Sequence, residues 1–452
     1  MIKLFSLLLI TFSALFGSEE SPIYVQLETE AKLLPIYSVS IADDHSGFSR
    51  EYLTQLEQVL EFDLSHNGMT YLVDDTSRNK ALAAELSFDK PTDLTPWLKE
   101  RVYFVVQARV KERKLGAALH IVNNNSKKLI DGLALTGDFS KDRRTIHSLS
   151  DAIHKALFQT DGIATTRILY TVKTGGDGKK KGVSEVYESD YDGGNPRQIT
   201  KNGSYAVTPC YIPPRAGRAS RNFLYVSYEI GQPKIYVGDL ETGKAQRLSL
   251  LKGNQLMPAI SSQRDKIAFI SDVTGNPDLF LQQFDPETGL INKPRQLYAT
   301  HKATQGTPTF SPDGSQVAFV SNKDGSPKIY VIDIPPPDTP LKEIKARLIT
   351  KINRENSAPC WSPDGKKIAY CASTKGVRQI WTYDFETNRE HQLTQGPGNK
   401  ENPSFAPNSL HLVFNSTGTS GSDLYIVNLN QPESAKISSG KGEKHFPSWE
   451  PR

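Results

Sequence analysis

Cysteine is nearly missing. Cys210, Cys360 and Cys371 are the only three in 452 residues, an odd number that excludes a disulfide framework as the basis of the fold. Cys360 and Cys371 flank one apolar hairpin and read as small buried hydrophobes. Past residue 17 no apolar run is long enough to span a bilayer, so the chain is not expected to cross a membrane. Blocks of one charge sign are scarce too. The net charge is +4 with Lys and Arg dispersed, and the compact run Lys179-Lys180-Lys181 sits between two strand-like segments, so there is no basic stripe for nucleic acid. Catalytic signatures are also lacking: there is no H-E-x-x-H, no Cys/His ligand spacing, no phosphate loop and no dinucleotide fingerprint. Gly418-Thr419-Ser420-Gly421 does not make a nucleophile elbow between a strand and a helix.

What the chain does contain is a repeated hairpin. Thr307-Pro308-Thr309-Phe310 reads as a short strand, Pro312-Asp313-Gly314 as a tight turn, and Val317-Ala318-Phe319-Val320 as a returning strand. A near copy follows, from Ala358-Pro359-Cys360-Trp361 through Pro363-Asp364-Gly365 to Ile368-Ala369-Tyr370-Cys371. Weaker copies contain Pro209, Pro258, Pro403 and Pro447, so the repeat prolines are spaced 49, 50, 51, 44 and 44 residues apart. Repeats of this length, built from short strands with Gly, Pro, Asn and Asp between them, predict a β-propeller. Six inner strands are counted, and six outer halves at 185–200, 234–249, 278–297, 328–350, 379–394 and 423–438. The first outer half lacks an inner strand before it, and the last inner strand, His445-Phe446-Pro447-Ser448-Trp449, lacks an outer half after it. The economical solution is six blades, with the C-terminal strand completing the blade begun at Ile168 and so removing an exposed sheet edge.

Before the propeller, periodicity predicts an α/β domain. Strands are expected at 35–39 and 69–73 and a meander at 102–106, 115–122 and 128–135, turning at Asn123-Asn124-Asn125. Apolar residues at helical spacing predict one helix over 48–62 and another from Arg144 through Leu157, while Pro91 to Leu98 reads as a break. At the start, Met1-Ile2-Lys3, an apolar stretch to Phe16, and Gly17-Ser18 before two acids read as a secretory signal peptide cut after Gly17. The domains are therefore expected at 1–17 (signal), 18–161 (α/β) and 162–452 (propeller), in a mature chain outside the cytoplasm.

Candidate site residues follow from the repeat. Those just before each repeat proline, Val207, Thr208, Leu256, Met257, Gly306, Thr307, Ser357, Ala358, Glu401, Asn402 and Phe446, should ring one opening of the channel, with His445 as a further contact residue there. They are small, apolar or neutral with one acid, which suits an inserted peptide or protein loop. Asp313 and Asp364 are explained by their turns. Asp190-Tyr191-Asp192-Gly193 faintly resembles a calcium loop but lacks its downstream Glu, so neither a metal, a cofactor nor a catalytic residue is assigned.

With the signal peptide, the strand leading to Pro35-Ile36, the α/β domain, Ser189-Asp190-Tyr191-Asp192-Gly193, six repeats and the closing Phe446-Pro447-Ser448-Trp449-Glu450-Pro451 in this order, the chain resembles the TolB family of periplasmic propeller proteins in the Tol-Pal system. The resemblance implies a monomeric, non-enzymatic periplasmic scaffold for outer-membrane integrity and constriction in cell division. It implies two partners: the peptidoglycan-associated lipoprotein at the channel mouth, and TolA at the N-terminal segment, where Ile23, Val25 and Leu27 keep the apolar alternation although the glycine that follows in the family is absent. A propeller enzyme and a small-ligand (sugar or peptide) binding protein are the competing readings.

Overall fold

The computed structural model describes residues 32–176, 182–215 and 218–452, so the expectations for the signal peptide, for Ile23, Val25 and Leu27, and for Lys179 to Lys181 lie outside the described residues. The N-terminal sheet is formed by β1 (Leu34–Asp44), β2 (Thr70–Leu72), β3 (Phe104–Lys111), β4 (Lys114–Ile121) and β5 (Ser126–Ala134), in the order β2-β1-β3-β4-β5. The first strand runs parallel to both neighbours, and the last three form the expected antiparallel meander. On one face lie α1 (Arg50–Ser65) and α4 (Phe139–Phe158), which close a core of Ile36, Leu56, Leu60, Val106, Leu119, Ile146 and Leu149. The helix starts are set by caps: Ser49 Oγ accepts from Tyr52 N–H, and Asp138 accepts from Ser140 N–H, five residues earlier than apolar periodicity alone placed the second helix.

Two short helices cover the other face: α2 (Ser77–Ala84) and α3 (Thr95–Lys99). Neither was expected, and the stretch read as a break contains one of them. Pro96 lies in the first turn of α3, where a missing N–H costs nothing, and Trp97 next to it is buried beside Tyr37, Leu94 and Val105. Among the described residues no helix is long and apolar enough to cross a membrane.

The remainder is a six-bladed propeller. Blade 1 is formed by β6 (Arg167–Thr174), β7 (Val183–Asp190) and β8 (Arg197–Gln198), and its innermost strand comes from the far end of the chain: Glu443–Trp449 pairs antiparallel with β6. The closure is tied at several points. Trp449 Nε1 donates to Thr166 Oγ1 at 2.8 Å, Arg167 N–H donates to Glu450 at 3.1 Å, and Arg452 reaches Gly162 O and Asp151. Blades 2, 4, 5 and 6 are four-stranded; blade 3 carries an additional two-residue strand at Gly289–Leu290. Apolar clusters fill the seams between blades, as where Phe310 and Phe319 of blade 4 meet Leu279 and Tyr298 of blade 3.

The repeat turns behave as their composition dictates. Gly314 and Gly365 adopt positive φ (68° and 78°), and each donates its N–H back to the serine three residues earlier. Asp313 accepts from Ser311, Ser315 Oγ and Ser315 N–H, and those bonds hold its carboxyl down at about 2. The recurring aspartates are turn residues, as expected.

Candidate binding site in the propeller channel

Each innermost strand carries the same irregularity. Between Leu256 and Ala259, Gly306 and Thr309, Ser357 and Cys360, Glu401 and Ser404, and His445 and Ser448 the register slips by one residue, and Val207 to Cys210 does the same. All six are β-bulges, and the repeat proline sits in each, where a strand can spare a donor. The residue before the proline is left-handed every time: Thr208 (φ 48°), Met257 (52°), Thr307 (38°), Ala358 (48°), Asn402 (54°) and Phe446 (52°). Only the asparagine is at ease there; for the rest the conformation costs about 1 kcal/mol or more apiece. The six bulges turn these residues, and the prolines after them, onto the propeller axis.

There they line a cavity of about 320 Å³. Its wall runs from Thr208, Met257, Thr307, Ala358, Asn402 and Phe446 through the six prolines to the strand ends at Tyr211, Phe310 and Trp449. Among the described residues the wall contains no Asp, Glu, Lys, Arg or His. Two of its hydroxyls, Thr208 Oγ1 and Thr307 Oγ1, have no hydrogen-bond partner. Its two thiols are not primed as nucleophiles, because burial pushes Cys210 up to about 12 and Cys360 to about 11. Side chains also bind the wall together across the seams: Trp449 N–H donates to Ser404 Oγ at 2.9 Å and Trp361 N–H to Thr309 Oγ1 at 3.4 Å.

The other predicted residues stand one step nearer the strand starts and are not part of this wall. Val207, Leu256, Gly306, Ser357, Glu401 and His445 pair with Val226, Ile270, Val320, Cys371, Asn415 and Thr171 of the second strands. The single acid, Glu401, is ion-paired with Arg378, and His445 lies 3.6 Å from Glu443, which itself binds Lys173 at 2.9 Å. Burial lowers the His445 pKa. Sequence reasoning missed Cys210, Thr309, Ser404, Ser448 and Trp449 as wall residues. They follow the prolines, and only the bulge, which sequence spacing does not reveal, brings them to the axis.

The N-terminal domain packs where the inner strands end. Phe62 meets Tyr191 edge-on at 5.9 Å, Tyr191 lies 6.4 Å from Trp449, and Asn430 Nδ2 donates to Gly68 O at 2.8 Å. The strand starts, with Val207, Gly306 and Glu401, therefore face the opposite opening.

Comparison with known proteins agrees with this architecture. The TolB beta propeller domain family matches residues 154–452. The chain belongs to the TolB family. A curated Protein TolB homolog from Protochlamydia amoebophila is 57% identical over 385 residues, covering 85% of this chain and 82% of the relative. Another, from Chlamydia pneumoniae, is 35% identical over 447 residues, 98% of this chain and 96% of the relative. The crystal structure of TolB from Acinetobacter baumannii superposes with a TM-score of 0.74 over 93% of this chain and 98% of that one, at 21% identity, and so shares the whole fold. This is a TolB-type propeller protein with an α/β region ahead of the ring.

Proposed function

We propose that the protein is a periplasmic scaffold of the Tol-Pal system, with a signal peptide at 1–17, an α/β domain at 18–161 and a propeller at 162–452. It binds the peptidoglycan-associated lipoprotein through the propeller channel and mouth, and TolA through the N-terminal segment containing Ile23, Val25 and Leu27. It serves outer-membrane integrity and envelope constriction in division, as a monomer. The observation that carries the reading is the axial wall: six bulges present prolines and uncharged side chains around a cavity whose described lining has no charged group. Such a wall accepts an apolar or neutral loop of a protein partner at little desolvation cost. It offers no carboxylate pair and no activated nucleophile, which favours binding over the propeller-enzyme alternative.

A pull-down from solubilised envelope, with the mature chain as bait, tests this. The parent should capture a peptidoglycan-associated lipoprotein, and a variant carrying Thr307→Arg and Ala358→Arg should lose it while keeping a native circular dichroism spectrum. Failure of the parent to capture it removes the lipoprotein from the reading and turns attention to a screen of sugars and peptides in the channel.

A further inference from the structure

The junction between the two domains contains a cluster of ionisable side chains that the channel does not use. His147, on α4, is 1% exposed. Its Nδ1 lies 2.8 Å from Asp63 Oδ2 on α1, and Asp63 Oδ1 also accepts from Tyr191 OH at 2.8 Å. A carboxylate at Nδ1 is the kind of partner that orients a metal-binding histidine and turns its Nε2 toward the ion. Among the described residues Nε2 has no hydrogen-bond partner. It points at two carboxylates of the propeller, 4.0 Å from Asp190 Oδ2 and 3.9 Å from Asp192 Oδ2. These gaps are too long for hydrogen bonds. One imidazole nitrogen and one oxygen of each carboxylate lie within 4.8 Å of one another, so modest contraction seats an ion among them at bond lengths of about 2.0–2.2 Å.

The local backbone prepares the two carboxylates. Asp190 ends β7, and the turn after it closes through Gly193 N–H to Asp190 O and Asp190 N–H to Gly194 O, each at 2.9 Å. Asp192 Oδ1 accepts from Gly194 N–H at 3.0 Å, which leaves Oδ2 facing the histidine. Arg143, one turn before His147, contacts Asp192 Oδ2, and its Nε lies 3.6 Å from Asp190 Oδ2 without a hydrogen bond. Three carboxylates thus face one guanidinium, and with a neutral imidazole the cluster has two negative charges in excess. A dication balances that sum.

We propose that His147, Asp190 and Asp192 form a site for a divalent transition-metal ion of the zinc class, oriented by Asp63, that joins the N-terminal domain to the propeller. One imidazole and two carboxylates suit such an ion, with water completing a tetrahedron. Arg143 competes for the same oxygens and must yield Asp192 Oδ2 when the ion enters. The sequence reading of 190–193 found no metal loop because the third ligand comes from another domain, 43 residues earlier.

The test uses the mature full-length chain, stripped with EDTA and titrated with Zn²⁺ by calorimetry, together with His147→Gln, Asp192→Asn and Arg143→Gln. The parent should bind one zinc ion, and its thermal unfolding should shift upward with zinc. His147→Gln and Asp192→Asn should each weaken binding at least tenfold, and Arg143→Gln, by removing the competing cation, should tighten it severalfold. Anomalous diffraction at the zinc edge from soaked crystals of the parent should give a peak beside His147 Nε2. Absence of binding by the stripped parent overturns the proposal, as does undiminished binding by a folded His147→Gln chain. A peak elsewhere, or a water at this position under saturating zinc, overturns it equally.

Discussion

Glycine and histidine carry the sharpest consequences at the scale of single residues. Gly193 adopts a φ of 83°, and a β-carbon built there falls inside the van der Waals envelope of Ile437 O in the neighbouring blade. Gly193→Ala should therefore cost more than about 2 kcal/mol, measured by urea unfolding, because backbone on both sides would have to move. His411 is fully buried against Gly68, and that burial holds its pKa at about 3. The folded chain refuses a proton that the unfolded chain takes up near pH 6.5, so the unfolded state binds more protons throughout the interval and stability falls as pH drops from 6.5 toward 3. The slope from this one residue approaches about 1.4 kcal/mol per pH unit. His411→Gln should flatten the profile in that window relative to the parent; parallel profiles would show that the histidine does not govern it.

The bulge is the element on which the channel depends. Its left-handed residue is Ala358 in blade 5, and glycine has no penalty for that conformation. Ala358→Gly should thus be neutral or stabilising by up to about 1 kcal/mol, whereas Gly for Ala inside an ordinary strand is destabilising. The contrast would be read from the unfolding midpoint. The sequence showed the repeat but not this device. Thr, Met, Thr, Ala, Asn and Phe have no common preference for positive φ, and a proline after them signals an extended strand as readily as a bulge. The helices show the complementary lesson. Periodicity was enough for α1 and α4, whose apolar stripes face the sheet, but not for α2 and α3, which are held by a cap and by one buried Trp97 rather than by a stripe. At the domain junction, Asp63, His147 and Asp190 come from three elements that no local pattern relates.

For the molecule as a whole, the six-bladed ring and its closing strand were legible because repeat counting is arithmetic on spacing, and an unpaired half at each end has one economical solution. The prediction that belongs here is cooperative failure. Removing residues 443–452 takes Trp449 from the seam between blades 1 and 6 and strips β6 of its inner partner. The ring should lose its stability in one transition, with a fall of many degrees in unfolding temperature or loss of soluble protein, rather than fraying at one blade. Trp449→Ala alone should cost about 3–5 kcal/mol, as for other large buried aromatics. An unchanged midpoint for the truncated chain would mean that the strand is an ornament on an otherwise self-sufficient ring.

That shared blade also sets a timetable. β6 is synthesised some 270 residues before the strand that completes it, so its inner edge stays unsatisfied until that strand has been made. The sheet of the α/β domain pairs only β1 to β5 among the described strands and can form long before then. Blades 2 to 6 can each form from contiguous chain, yet the circle has no last seam until residues 443–449 arrive. During that interval the open edge of blade 1 is the vulnerable part of the newborn chain, the place where a chaperone has most to guard and where two copies could exchange their final strands.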